Sequence, residues 1–94
     1  MEQLKNEQPI QINTSDETSK GRYSNTMLVA HGPDEFIIDW VLNSPNGAHL
    51  VSRVIVTPGH MKRICAALQD NLRIYEDTFG ELAVRNAADF HMVQ

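Results

Sequence analysis

Residues 53–80 read RVIVTPGHMKRICAALQDNLRIYEDTFG, and this stretch joins a strand to a long helix through a well-marked helix start. Thr57 followed by Pro58 is typical of an N-cap and first helical position, because proline has no N–H to leave unpaired there. Gly80 is a suitable residue to stop the helix. Apolar residues between them recur at spacings that keep them on one helical face: Met61, Ile64, Cys65, Leu68, Leu72, Tyr75 and Phe79. The sequence therefore predicts an amphipathic helix over residues 58–79.

The chain that precedes this helix predicts an antiparallel meander. Runs rich in β-branched and aromatic residues occupy positions 22–31, 35–42 and 49–56. The turn sequences HGPD at 31–34 and NSPNG at 43–47 separate these runs. Short turns of this kind join neighbouring antiparallel strands, so the three runs predict two consecutive hairpins.

The second turn sets the register of the second and third strands. A three-residue connection with glycine in the left-handed position would place Ser44 opposite Ala48. Asp39 then faces Arg53 as an opposite-charge pair, which is tolerable in a half-buried sheet where a single charge would be costly. The same count pairs apolar residues on both faces: Phe36 with Val56, Ile38 with Val54, Leu42 with Leu50, Ile37 with Ile55, and Val41 with Val51. Both faces of the sheet are predicted to be largely apolar.

The predicted fold class is α+β, a three- to four-stranded antiparallel β-meander followed by one long amphipathic helix, over residues 22–81. Residues 1–21 form a polar arm that we expect to be flexible, with an edge strand at 8–13 as an option. Residues 82–94 leave two alternatives open. Leu82 and Val84 could begin a strand, or Asn86 could cap a short helix through Phe90 and Met92.

Composition limits the classes of function. The chain has 94 residues, enough for one core, and a formal charge of −4 that disfavours generic binding to nucleic acid or to anionic membranes. Cys65 is the single cysteine, so no intramolecular disulfide can form and a reducing compartment is the simpler expectation. No apolar run follows Met1, so we expect no signal peptide, no membrane span and a cytoplasmic protein.

Chemical signals are sparse. His31, His49, His60 and His91 lack the spacing of metal ligands, and Cys65 falls within the apolar stripe of the helix. No nucleophile and base are arranged together, and the glycines are scattered among turns and caps. We therefore predict a protein that is not an enzyme and that has no metal site and no cofactor.

One basic cluster could bind an anion. His60, Lys62 and Arg63 lie in the first turns of the helix, where positive charge opposes the helix dipole. Free N–H groups at the same end could donate hydrogen bonds to a phosphate or carboxylate, whose charge would offset that repulsion. Solvated side chains or an ion pair between subunits would explain the cluster equally well.

One ordered set of residues runs from the first strand to the end of the helix: Tyr23-Ser24-Asn25, Glu35-Phe36, Asp39, Arg53-Val54-Ile55-Val56-Thr57-Pro58, His60, Lys62-Arg63, Leu68, Asn71, Tyr75-Glu76 and Phe79-Gly80. This set resembles one family of small prokaryotic proteins, catalogued as domain of unknown function 3467. The similarity covers about residues 22–81 and implies a strand-strand-strand-helix unit without an established activity, substrate or cofactor. Trp40 and Met61 stand where phenylalanine and alanine are more usual.

A single helix can cover only one face of a three-stranded sheet, so the other apolar face needs a second cover. We expect a homo-oligomer, with a dimer favoured, that packs through sheet faces or helix stripes. The alternative is that the N-terminal arm or the C-terminal segment folds over this face. The predicted interface residues are Leu28, Ile37, Asp39, Val41, Val51, Arg53 and Ile55.

The leading functional hypothesis is a non-enzymatic oligomeric binding or adaptor module, with an unidentified protein as a further partner. It rests on the apolar faces and on the lack of a catalytic constellation in the sequence. The alternatives are export-chaperone-like binding of unfolded clients, which is an analogy of element order, and binding of a small anion at the helix N-terminus.

Overall fold

The computed structural model describes residues 10–84. In chain order it contains α1 (Asp16–Lys20), β1 (Thr26–His31), β2 (Phe36–Ser44), β3 (Gly47–Val56) and α2 (Pro58–Phe79). The strands form one antiparallel sheet in the order β1-β2-β3, so consecutive strands are neighbours. The predicted α+β class, a three-stranded meander followed by one long helix, is confirmed.

α2 begins and ends at the predicted residues. The Thr57 backbone is extended, and its hydroxyl accepts a hydrogen bond from the His60 N–H at 3.2 Å, as an N-cap does. Gly80 has φ +104°, in the region that favours glycine, and donates its N–H to the Glu76 carbonyl at 2.8 Å. Both ends of the helix are therefore fixed by local sequence.

The second hairpin keeps half of its predicted register. Phe36–Val56, Ile37–Ile55, Ile38–Val54 and Asp39–Arg53 face each other as expected, and these pairs are confirmed. Nearer the turn, the predicted pairs Ser44–Ala48, Leu42–Leu50 and Val41–Val51 are wrong. Gly47, at φ +113°, already pairs with Ser44, so the turn has two residues instead of three.

A β-bulge reconciles the two halves of this hairpin. Trp40 faces Ser52 whereas Val41 faces Leu50, so Val51 is an extra residue on β3 without a partner of its own in the ladder. The bulge adds the residue that the shorter turn omits. Asp39 therefore faces Arg53 because a two-residue turn is combined with a bulge, and not because the turn has three residues.

β1 is aligned by hydrogen bonds just before the strand begins. The Asn25 side-chain amide donates to the Asn43 carbonyl and accepts from the Asn43 N–H, both at 2.9 Å. The Ser24 hydroxyl donates to the Val41 carbonyl at 2.9 Å. These contacts fix the ladder that places Leu28 opposite Asp39.

The ends of the described range differ from expectation. Residues 10–13 are not in a strand, so the edge strand proposed for 8–13 is wrong for its described part, and residues 8 and 9 lie outside that range. α1 was not predicted; Ser15 caps it by accepting from the Thr18 N–H at 3.1 Å. Residues 81–84 are also without strand, while the alternative helix from Asn86 lies beyond the described residues.

The core is small. Among residues 10–84, the buried hydrophobic residues are Ile38, Val41 and Val56, which remain 7–9% exposed. Among the described elements, β1 packs closely with β2, and β2 with β3. α2, which is described throughout, contains no buried residue. The radius of gyration is 16.4 Å, whereas a compact chain of this length would have about 12 Å. α2 therefore covers little of either sheet face, less than the sequence suggests.

Candidate functional site

One face of the sheet carries most of the predicted interface residues. Because side chains alternate along a strand, the observed register puts one set together on the Asp39 face: Leu28, Ile37, Asp39, Val41, Leu50, Arg53 and Ile55. Val51 is separated from this set by the bulge and instead lines a depression beside Trp40 and Ser52. The structure thus separates Val51 from the other predicted interface residues, and a role for any of them in an interface stays a prediction.

Asp39 and Arg53 form a two-pronged ion pair at the centre of this face. The Arg53 Nε donates to Asp39 Oδ1 at 2.7 Å, and Arg53 Nη2 donates to Oδ2 at 2.8 Å. The Asp39 side chain is 16% exposed and that of Arg53 is 54% exposed, so the carboxylate is the more enclosed partner. These hydrogen bonds, together with the positive charge of Arg53, hold the pKa of Asp39 below its ordinary value of 3.8, against a smaller opposing effect of desolvation.

The ion pair predicts a specific acid dependence of stability. The lowered pKa of Asp39 stabilises the folded chain fully above the unfolded value near 4, and this contribution is lost as pH falls through the lowered folded value. We expect the urea midpoint of the native protein to exceed that of Asp39→Asn at pH 7. The difference between the two midpoints should shrink as pH falls below about 4. Other carboxylates are common to both proteins and cancel in this comparison; a difference that is independent of pH would contradict the assignment.

The Asp39 face is partly open around this pair. Val41 is buried and Ile37 is half-buried, but Leu28 is 43% exposed and both Leu50 and Ile55 are 57% exposed. Exposed aliphatic side chains next to a mutually neutralised ion pair leave little net charge at the centre of this surface. The arrangement suits contact with another protein surface better than binding of a charged small molecule.

The opposite face carries a shallow depression that the sequence did not indicate. Trp40 is 38% exposed and lies beside Val51 and Ser52, and the residues before β1, among them Thr18 and Arg22, provide the rest of the lining. Ser52 faces Trp40 across the strands and is too small to cover the indole. The predicted register already places Ser52 opposite Trp40, so the short side chain was the available signal; nothing in the sequence indicated that Thr18 and Arg22 of the N-terminal arm lie beside it.

The basic corner at the start of α2 is exposed to solvent. His60, Lys62 and Arg63 are all exposed, and an Arg63 Nη lies 3.5 Å from the His60 ring nitrogen. The Thr57 hydroxyl already accepts the His60 N–H, so one of the backbone donors that an anion would use is occupied. The three residues are close together as predicted, and anion binding there stays a prediction.

α2 presents an uncovered apolar surface, which we name the α2 stripe: Met61, Ile64, Cys65, Leu68, Leu72, Tyr75 and Phe79. Met61 and Ile64 are half-buried, whereas Leu68 and Phe79 are 61% and 72% exposed and Leu72 and Tyr75 are each 44% exposed. The rings of Tyr75 and Phe79 lie 5.0 Å apart between centroids. The helix therefore carries its main apolar surface in the half that lies away from its junction with the sheet.

The comparisons with known proteins give a family for the chain. A family model described as "Protein of unknown function (DUF3467)" matches residues 1–84. The chain belongs to the DUF3467 family. No curated protein and no solved structure matches it. The family match of this DUF3467 chain begins before residue 22, so it includes the N-terminal arm as well as the meander and helix.

Two features are absent from residues 10–84, the part of this DUF3467 chain that the structure describes. Within that range, no three side chains from His, Cys, Asp or Glu are grouped so as to hold a metal ion. No helix in the same range combines the length and apolar character needed to cross a bilayer.

Proposed function

We propose that the chain is a non-enzymatic binding module that works as a homodimer in the prokaryotic cytoplasm. The observation that carries the proposal is that few apolar side chains are buried while many large ones are exposed. Ile38, Val41 and Val56 are buried, while larger apolar side chains remain open on the sheet and along α2 in residues 10–84. An exposed thiol at Cys65 agrees with a reducing compartment.

A second copy would bury exposed apolar side chains at little conformational cost. The α2 stripe belongs to a capped, continuous helix, so its backbone is already ordered before association and only side-chain rotamers remain to be fixed. Small single-core domains are marginally stable by themselves, and oligomerisation is one of the usual sources of additional burial. Dimerisation would therefore add to the small buried core that residues 10–84 of the single chain provide.

The binding role concerns the surface that the dimer leaves open. The Asp39 face combines exposed Leu28, Leu50 and Ile55 with a neutralised ion pair, which is a suitable composition for the centre of a protein interface. We assign this face to an unidentified protein partner. Self-association and partner binding would then use different elements, α2 and the sheet.

The proposal predicts a dimeric mass for the native protein. Native mass spectrometry and light scattering at about 10 µM should both give twice the chain mass, which corresponds to association of micromolar affinity or tighter. The melting temperature should rise with protein concentration, because association stabilises the folded state by mass action. A monomeric mass at all concentrations, with a melting temperature independent of concentration, would contradict the dimer.

Client binding of the chaperone type is a second candidate, and the open apolar side chains on the Asp39 face favour it. A chaperone would suppress aggregation of an unrelated unfolded protein at a stoichiometric ratio. Leu28→Ser combined with Ile55→Ser should then lose this activity while the dimer remains. Absence of suppression by the native protein would leave the specific partner as the better proposal.

A further inference from the structure

We propose that the α2 stripe packs against the α2 stripe of a second copy in the antiparallel direction, with the two-fold axis near residue 70. The inference rests on the proposed homodimer and names its contact surface, direction and partner residues. It assigns self-association to the helix and leaves the Asp39 face free.

The spacing along α2 is that of a helix pair. Met61, Cys65, Leu68, Leu72, Tyr75 and Phe79 follow one another at intervals of four, three, four, three and four residues. This is the heptad spacing at which one helix packs side chains between those of another. The interval is kept through the whole helix, although only Met61, Ile64 and Glu76 among its residues are half-buried in the single chain.

The polar side of α2 carries ion pairs that form within the helix. Arg73 makes ion pairs with Asp70 and with Asp77, three residues before and four residues after it. On a helical projection these three residues lie on the side opposite to the stripe. The charged residues are therefore satisfied within the helix, and the apolar side is the one without a cover.

Side-chain size favours the antiparallel direction. With the axis near residue 70, Phe79 packs beside Met61 of the second copy, Tyr75 beside Cys65, and Leu72 beside Leu68. Each layer then combines a large residue with a smaller one or two residues of equal size, as efficient packing requires. A parallel pair in register would instead stack Phe79 on Phe79 and Cys65 on Cys65, which leaves a crowded layer at one end of the helix and an underfilled layer near the other.

Charge complementarity gives the same direction. Lys62 and Glu76 lie on the same flank of the stripe, and an antiparallel pair places Lys62 of each copy beside Glu76 of the other. Glu76 Oε2 accepts from the Leu82 N–H at 2.9 Å, and a carboxylate has further acceptor sites for a lysine. A parallel pair would place uncharged Thr57 and Asn71 beside these two residues.

The available area is sufficient for a small dimer interface. Leu68 and Phe79 are 61% and 72% exposed, and Leu72 and Tyr75 are each 44% exposed. Aromatic side chains carry about 150–250 Å² each, so the stripe offers on the order of 500 Å² per copy. Two copies together reach about 1,000 Å², the lower limit for a specific interface.

Disulfide trapping tests the direction in the full-length protein. Tyr75→Cys would introduce a thiol beside Cys65 of the second copy, and mild oxidation should link most chains through two disulfides per dimer. Ile74→Cys, which adds a thiol off the stripe, is the matched control and should link little. The native protein should also link little, because its two Cys65 residues would lie about 15 Å apart along the helices. Efficient Cys65–Cys65 linkage in the native protein would establish a parallel pair and overturn the inference.

Charge reversal tests the same pairing without a covalent bond. Lys62→Glu and Glu76→Lys should each raise the dimer dissociation constant by about fivefold, since each change affects two exposed ion pairs. The double variant restores opposite charges across the interface and should recover most of the loss, as measured by analytical ultracentrifugation. The antiparallel pair would be contradicted if the fold-increase in the dissociation constant of the double variant equalled the product of the two single increases.

The two proposals fail in different ways. A native protein that is monomeric at all concentrations removes the homodimer and this inference together. A native dimer in which Tyr75→Cys does not link and the charge variants show no coupling removes the antiparallel α2 contact and leaves the dimer, which would then form through the sheet.

Discussion

Leu72→Asp should convert the homodimer into monomers, with the dissociation constant raised at least about 100-fold. Leu72 is 44% exposed in the single chain and, in the proposed pair, packs beside Leu68 of the second copy in two equivalent layers. The variant places two carboxylates in an apolar contact, and loss of each leucine contact costs about 2 kcal/mol or more. Light scattering at micromolar concentration should give the mass of one chain.

Ile74→Asp is the control for this substitution. Ile74 is 52% exposed on the same helix but lies off the stripe, so its charge should remain in solvent and the dimeric mass should persist. Far-UV circular dichroism of Leu72→Asp checks that α2 is still helical, because loss of the helix would also abolish the dimer. A Leu72→Asp protein that retains both its helix and the dimeric mass would exclude the stripe as the interface.

Ile38→Ala should lower the free energy of unfolding by about 3 kcal/mol. Ile38 lies on the central strand between Val29 and Val54 and is 7% exposed, so truncation leaves a cavity in the small core. Stabilities of native proteins are commonly 5–15 kcal/mol, and this loss is therefore a large fraction of the total. Urea unfolding should be followed at one fixed protein concentration, since association contributes to stability.

Ile55→Ala is the matched control, with the same chemical change on an edge strand. Its side chain is 57% exposed, and we expect a loss below about 1 kcal/mol. A loss as large as that of Ile38→Ala would show that the Asp39 face is covered in solution. The comparison therefore also tests whether this face is free for a partner.

The sequence predicted the ends of α2 because helix ends depend on nearby residues. The boundaries of α2 followed from Thr57, Pro58 and Gly80, whose conformations and hydrogen bonds act within one turn of the chain. α1 was missed although its signal is also local: Ser15 is followed by Asp16 and Glu17, a typical cap and acidic first turn. The arm's polar composition obscured a motif of so few residues.

The turn and the packing of α2 could not be predicted in the same way. A three-residue turn without a bulge and a two-residue turn with one place Asp39 opposite Arg53 equally well, so the hydrophobic pattern does not distinguish them. Where α2 lies depends on tertiary contacts, and the amphipathic pattern says only that its stripe needs a cover. The Asp39–Arg53 pair was predicted correctly because both alternatives contain it.

The bulge at Val51 gives this hairpin a tolerance to changes in length. Removal of Val51 would leave Val41 opposite Leu50 and Trp40 opposite Ser52, so every observed pair of β2 and β3 could form in an uninterrupted ladder. Descendants of one ancestral gene could therefore gain or lose a codon here without moving the charged pair to the other side of the sheet. In an alignment of DUF3467 sequences, single-residue gaps should cluster between the turn and Ser52.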